Sequence, residues 1–115
     1  MDITSGRKGI FRKLLLAGQF WERADMEALE QYLDICIAAG KPRVILNLER
    51  LTFINSQALG LLVRLHHRCS TAGGKLILYR PISSVKEVID ISDLAQFITI
   101  VESPEELDVL SEDEH

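Results

Sequence analysis

The sequence predicts an α/β domain, and three observations carry that prediction. Val44-Ile45-Leu46-Asn47-Leu48 is an almost continuous apolar run, as expected for a strand covered on both faces. Met26, Leu29, Leu33 and Ile37 recur at helical spacing, and so do Ala58, Leu62, Leu65, Cys69 and Ala72, so amphipathic helices alternate with extended runs. Between the apolar run and the second helix lies Leu51 to Gly60, where an extended segment meets polar residues able to start a helix. The remaining chain reads as scaffold for that junction.

With 115 residues the chain suits one core and one domain, placed at residues 1–110 with an acidic disordered tail at 111–115. A hydrophobic fraction of 47% excludes a disordered chain, and an aromatic fraction of only 6% makes the core aliphatic. The net charge of −4 argues against a nucleic-acid surface, which needs a basic stripe to displace counterions. Arg7, Lys8, Arg12 and Lys13 cluster, and they read as a solvated strand or loop edge. No apolar run reaches the roughly 20 residues of a membrane span, and the N-terminus lacks a signal-peptide core, so a cytoplasmic protein is expected. Cys36 and Cys69 lie in helical segments without metal or redox spacing and read as small buried thiols, with no disulfide.

Taken in order, Met1 to Gly6 predicts a short edge strand around Ile3, and Gly9 to Ala17 a second strand that pairs with it through a turn at Arg7 to Gly9. Gly18 reads as a break, followed by a loop in which Phe20 and Trp21 either seal the end of the core, the plainer reading, or stand exposed. Arg23 to Ala39 is an amphipathic helix, with Tyr32 and Cys36 beside its stripe and Gly40 as its stop. After the turn at Lys41-Pro42, Val44 to Leu48 forms a central parallel strand. Glu49-Arg50 interrupts it before Leu51 to Ile54.

Ser56 to Ala72 is the second helix, capped by Asn55 or Ser56. Gln57, Arg64, Arg68 and Thr71 form one polar flank of its seam, and Leu59, Val63 and His66 the other, with His67 pointing away. Gly60, Val63 and Leu59 make a small patch that either contacts a partner or is covered by a neighbouring element. If exposed, it allows a weak homodimer as well as a monomer. Gly73-Gly74 stops the helix, and Lys75 to Tyr79 is a buried strand ended by Arg80-Pro81. Ser83 or Ser84 caps a short helix through Asp90, with Val85, Val88 and Ile89 as its stripe. A turn through Asp93, Leu94 and Phe97 leads to a last strand, Ile98 to Val101. Ser103-Pro104-Glu105-Glu106 then starts a final helix packed by Leu107 and Leu110.

Little in the sequence points to catalysis. Gly73-Gly74 follows a helix, where a phosphate-binding loop would precede one. His66 and His67 are adjacent on a helix and diverge by about 100°, which disfavours a shared metal. Ser56 lacks a glycine-flanked elbow, so a small hydrolase is a weak alternative. No metal or other cofactor is expected.

Leu16-Ala17-Gly18-Gln19-Phe20, Val44 to Leu48 and above all Phe53-Ile54-Asn55-Ser56-Gln57-Ala58-Leu59-Gly60 together resemble the STAS domain, typified by bacterial anti-sigma-factor antagonists. Gly73-Gly74-Lys75-Leu76, Pro81 and Val85 to Leu94 fit its later half. The resemblance implies a four- to five-stranded mixed sheet with helices mainly on one face. It implies a protein-binding switch, with an anti-sigma factor or related serine-kinase-like protein as partner and transporter subunits as the alternative. Phosphorylated family members carry Asp-Ser-Ser-Gly or Asp-Ser-Thr-Gly, the second hydroxyl residue accepting phosphate. Here Asn55 replaces the Asp, Ser56 matches the first hydroxyl residue, Gln57 stands at the acceptor position and Ala58 replaces the Gly. The resemblance therefore implies partner binding through Asn55, Ser56, Gln57, Gly60, Val63 and Arg64 without the usual phosphate switch. Ser56 is left as a substitute acceptor or an N-cap.

Overall fold

The computed structural model describes residues 1–112 and the side chains of residues 1–110. Among these, β1 (Asp2–Lys8), β2 (Phe11–Phe20), β3 (Arg43–Ile54), β4 (Lys75–Tyr79) and β5 (Thr99–Val101) form one sheet in the order β1-β2-β3-β4-β5. β1 and β2 are an antiparallel hairpin, and the pairings β2–β3, β3–β4 and β4–β5 are parallel. The apolar run Val44 to Leu48 thus lies in the central strand, as its composition requires.

Strand alternation divides the core in two. Leu14, Leu16, Val44, Leu46, Leu48, Leu76 and Leu78 face one way, beneath α1 (Arg23–Ala38), α2 (Ser56–Thr71) and α3 (Ser83–Ile91). Phe11, Ile45, Ile77, Tyr79 and Val101 face the other way and take Leu107 of α4 (Pro104–Glu112), with Leu110 packed at their side. Three helices therefore cover one face and α4 part of the other, a mixed-sheet α/β fold. α4 continues through Ser111 and Glu112, which the sequence reading gave to the tail; residues 113–115 lie outside the described residues.

The strands run longer than local signals imply. β3 continues across Glu49-Arg50 because it carries extra residues relative to β2. Leu15 pairs with Asn47 but Ala17 with Arg50, and Gly18 pairs with Leu51 but Gln19 with Phe53. The Asn47 side-chain oxygen accepts the Glu49 N–H at 2.9 Å, closing the first bulge, and the Thr52 hydroxyl donates to the Gly18 carbonyl at 3.0 Å beside the second. Two bulges turn a spacing of two into spacings of three, which brings Leu48, Leu51 and Ile54 onto one buried face. Gly18, expected to break β2, sits within it at φ +108°, and Phe20 is the last strand residue where a loop was expected. Phe20 is buried, but Trp21 is 48% exposed, so only Phe20 seals the core.

Two further local expectations change. α3 begins after Ile82 with no side-chain cap, so neither Ser83 nor Ser84 plays that part. Of the two thiols only Cys69 is buried, and Cys36 is half-buried. Burial, with a smaller contribution from Cys36, pushes the Cys69 thiol up from 9.0 to about 11, against the lowering effect of Arg68. A raised folded-state pKa contributes stability that is intact below the unfolded value and lost as pH climbs through the folded one. Unfolding free energy is accordingly expected to fall between about pH 9 and 11 in a component that Cys69→Ala lacks, measurable by denaturant titration across that range.

Candidate functional site

The candidate site is the turn from β3 into α2. Ile54 is buried and anchors the end of the strand, and the Asn55 N–H donates to the Phe20 carbonyl at 3.3 Å, tying the turn to the end of β2. Asn55 has extended backbone (φ −99°, ψ 174°), and its side-chain oxygen accepts the Ala58 N–H at 2.9 Å. Asn55 is therefore the N-cap. Ser56, weighed for that role from sequence, is instead the first helical residue and is exposed, as is Gln57. The first turn carries no acidic residue, so the positive end of the helix dipole is left uncompensated by side chains there.

Ala58 and Leu59 turn into the core, so Leu59 drops out of the patch predicted with Gly60 and Val63. Gly60 and Val63 are half-buried and Arg64 is exposed. Projected at 100° per residue, Ser56, Gln57, Gly60, Val63 and Arg64 share an arc of about 120°. The helix thus brings together the predicted residues that lie on it, with Asn55 at its head. Gly60 leaves a gap along this face: a β-carbon there would meet only the Arg64 guanidinium, at 3.6 Å. Gly60→Ala is expected to raise stability by about 0.5–1 kcal/mol, the helical penalty of glycine, in a chemical unfolding experiment.

Two aromatic side chains stand exposed at the same end, Trp21, expected to seal the core, and Phe53, given no role from sequence. Phe53, beside Gln19 in the sheet, is 46% exposed, and Trp21 follows the residue that holds Asn55. Alternation contains the signal, because an inward Ile54 sends Phe53 outward and an inward Phe20 does the same to Trp21.

The arrangement offers Ser56 no base from its own helix. His66 and His67 lie ten and eleven residues further on, about 15 Å or more along the axis, and the His66 Nδ1 is 3.1 Å from the Leu76 carbonyl oxygen. Activation of a serine requires hydrogen-bond reach. Among the described residues, no three histidine, cysteine or acidic side chains converge as metal ligands, and no helix is long and apolar enough to cross a membrane.

The chain matches the STAS domain family over residues 24–107. Among solved structures it is similar to the anti-sigma factor antagonist SpoIIAA in its unphosphorylated form, at 18% identity and a TM-score of 0.73 over 99% of this chain and 100% of that one. It is similar also to the Bacillus cell fate determinant SpoIIAA in the phosphorylated form, at 21% identity and a TM-score of 0.71 over 95% of this chain and 99% of that one. An anti-sigma factor antagonist from Mycobacterium paratuberculosis aligns at 15% identity with a TM-score of 0.78 over 97% and 94% of the two chains. Likeness at these identities shows a shared fold. Comparison with curated protein sequences finds no match.

Proposed function

The chain belongs to the STAS domain family, and on that premise we propose that it is a non-catalytic protein-binding regulator of the anti-sigma-factor-antagonist kind. Its partner is an anti-sigma factor or a related serine-kinase-like protein. The observation that supports this reading most is the division of labour at the head of α2. Asn55 alone caps the helix, leaving Ser56 and Gln57 exposed above a face made of Gly60, Val63 and Arg64. Trp21 and Phe53 supply exposed aromatic surface at the same end, and aromatic residues are the commonest anchors of protein interfaces.

Gln57 carries no hydroxyl, so the position at which phosphorylated STAS domains are switched is inert here. Phosphate would add about −1.5 to −2 charges to a surface that a partner must cover. With Gln57 the surface keeps its hydrogen-bonding capacity and one charge state, and binding is constitutive or controlled elsewhere. The same substitution favours a second reading, an accessory domain of a transporter, in which a phosphate switch is not needed. Capture on the immobilised chain, with the bound proteins identified by mass spectrometry, tests the proposal. An ATPase-fold anti-sigma factor supports the first reading, transporter subunits support the second, and retention of neither contradicts both.

A further inference from the structure

The sheet ends on β5, and among the described residues no strand lies beyond it. The Arg80 N–H donates to the Val101 carbonyl at 2.9 Å, so Thr99 and Val101 turn their N–H and C=O groups toward β4, and Ile100 between them turns its own outward. Side chains alternate about this open edge as well. Val101 packs on the α4 side, while Ile100 packs against the core beneath α1, α2 and α3. A depression opens on each side. The one toward α4 is about 570 Å³ and largely apolar, with Val101, Val109 and Leu110 in its wall and Glu105 and Glu106 beside them. The one toward α3 is about 250 Å³ and charged, lined by Lys86, Ile100, Glu102 and Glu106. Ile100 and Glu106 line both, so the two meet along the edge. A strand added beside β5 would send successive side chains alternately into one and the other.

Two ordinary explanations fall short. Charges guard an edge against indiscriminate pairing by standing in the strand, and Thr99-Ile100-Val101 carries none. Glu105 and Glu106 oppose the dipole at the start of α4, but that dipole offers about half a positive charge against two full negative ones. Three carboxylates, Glu102, Glu105 and Glu106, line the two depressions, and the cation that lines them, Lys86, is already held by Asp90 at 3.1 Å and Glu102 at 3.7 Å. A second copy of the chain suits this edge poorly. Paired β5 to β5, it would set these carboxylates against each other. The opposite edge, β1, offers only Ile3 as a large apolar side chain. The lysines of the N-terminal basic cluster are moreover not a free solvated edge, because Lys8 pairs with Asp108 at 2.6 Å and the Lys13 ammonium lies 6.0 Å from the centre of the Tyr79 ring. We infer that β5 is a docking edge for an extended segment of a partner protein in which apolar residues alternate with lysine or arginine. The apolar residues enter the depression beside Val109, and the basic ones meet Glu102 and Glu106. β3, whose end carries Asn55, lies two strands away, so this surface is separate from the head of α2 and does not depend on the function proposed for it.

The probe is the peptide acetyl-Lys-Val-Lys-Val-Lys-Val-amide, titrated by calorimetry into the folded chain at about 0.15 M salt, where exposed charges are screened. Its control is acetyl-Lys-Lys-Lys-Val-Val-Val-amide, of equal charge and composition. Saturable binding of the alternating peptide is expected, about tenfold tighter than that of the control. Exchange of the Ile100 amide hydrogen should slow roughly fivefold when the alternating peptide saturates the edge. Val109→Lys puts a cation in the apolar wall and is expected to weaken that peptide about tenfold, the worth of one valine side chain left unburied. Val109 is 55% exposed on a helix that accommodates lysine, so the variant keeps its fold and its thermal midpoint. Equal binding of the two peptides, no binding of the alternating one, or binding that Val109→Lys leaves intact overturns the assignment. A dimer of the peptide-free chain that Val109→Lys dissociates also overturns it, by giving the edge to a second copy.

Discussion

Replacing Gly74 by alanine is expected to destabilise the fold by about 3–5 kcal/mol, seen as a drop of roughly 10–20 °C in Tm. The cause is backbone against backbone. A β-carbon on Gly74 would stand 1.8 Å from the Pro42 carbonyl oxygen and 2.5 Å from its carbon, a contact that no side-chain adjustment relieves. The same oxygen accepts the Lys75 N–H at 2.7 Å, so relieving the clash disturbs the point where β4 begins beside β3. Gly73 is the internal control. Its left-handed conformation, φ +82°, penalises alanine by only about 1–2 kcal/mol, and a β-carbon there meets nothing closer than the Lys41 side chain at 3.9 Å. A loss at Gly73 as large as that at Gly74 would contradict the close-approach explanation.

Val63→Asp is expected to weaken partner binding by about 100-fold while leaving the thermal midpoint within a few degrees of the parent chain. Val63 is half-buried on the outward side of α2, in a shallow depression with His66, His67, Ser70 and Phe97, so a carboxylate there remains in contact with water in the free protein. In a complex that covers this face the charge is desolvated without a designed counter-ion, and stranding a buried charge costs on the order of 2–5 kcal/mol. Calorimetric titration against the captured partner checks the first half, and a melting curve the second. Unchanged affinity would remove Val63 from the interface.

Much of the fold was legible because apolar periodicity is local information. The central run Val44 to Leu48, the stripe Met26, Leu29, Leu33 and Ile37, and the α2 seam each announce an element and its buried side. The sequence pattern fails where pairing adds residues. Leu48, Leu51 and Ile54 are three apart, which reads as an interruption, yet two bulges against β2 make them neighbours on one face. Gly18 looked like a stop because nothing local distinguishes a glycine that ends a strand from one that sits inside it beside a bulge.

The candidate site's place at the head of α2 is legible in the sequence, the local role of each residue less so. Asn55 and Ser56 are both good caps by composition, and only the Asn55–Ala58 hydrogen bond separates them. Leu59, on the flank of the seam that reads as either exposed or covered, is covered, because the core reaches around the helix far enough to take it. Trp21 reads as a core seal because an aromatic residue near a strand end usually closes the core, and here the neighbouring Phe20 and Ile54 already do so, leaving Trp21 and Phe53 outside. The basic cluster needed the hairpin register before it could be divided into two paired lysines and two opposed arginines.

The Asn55 to Arg64 surface is proposed to lack the phosphate switch of phosphorylated STAS domains. Intact-mass measurement after incubation with the captured kinase-like partner and ATP tests it most directly, on the parent chain and on Gln57→Ser, which restores a hydroxyl at the acceptor position. An unmodified parent chain and one added phosphate on the variant are expected. Stoichiometric phosphate on Ser56 of the parent chain would contradict it.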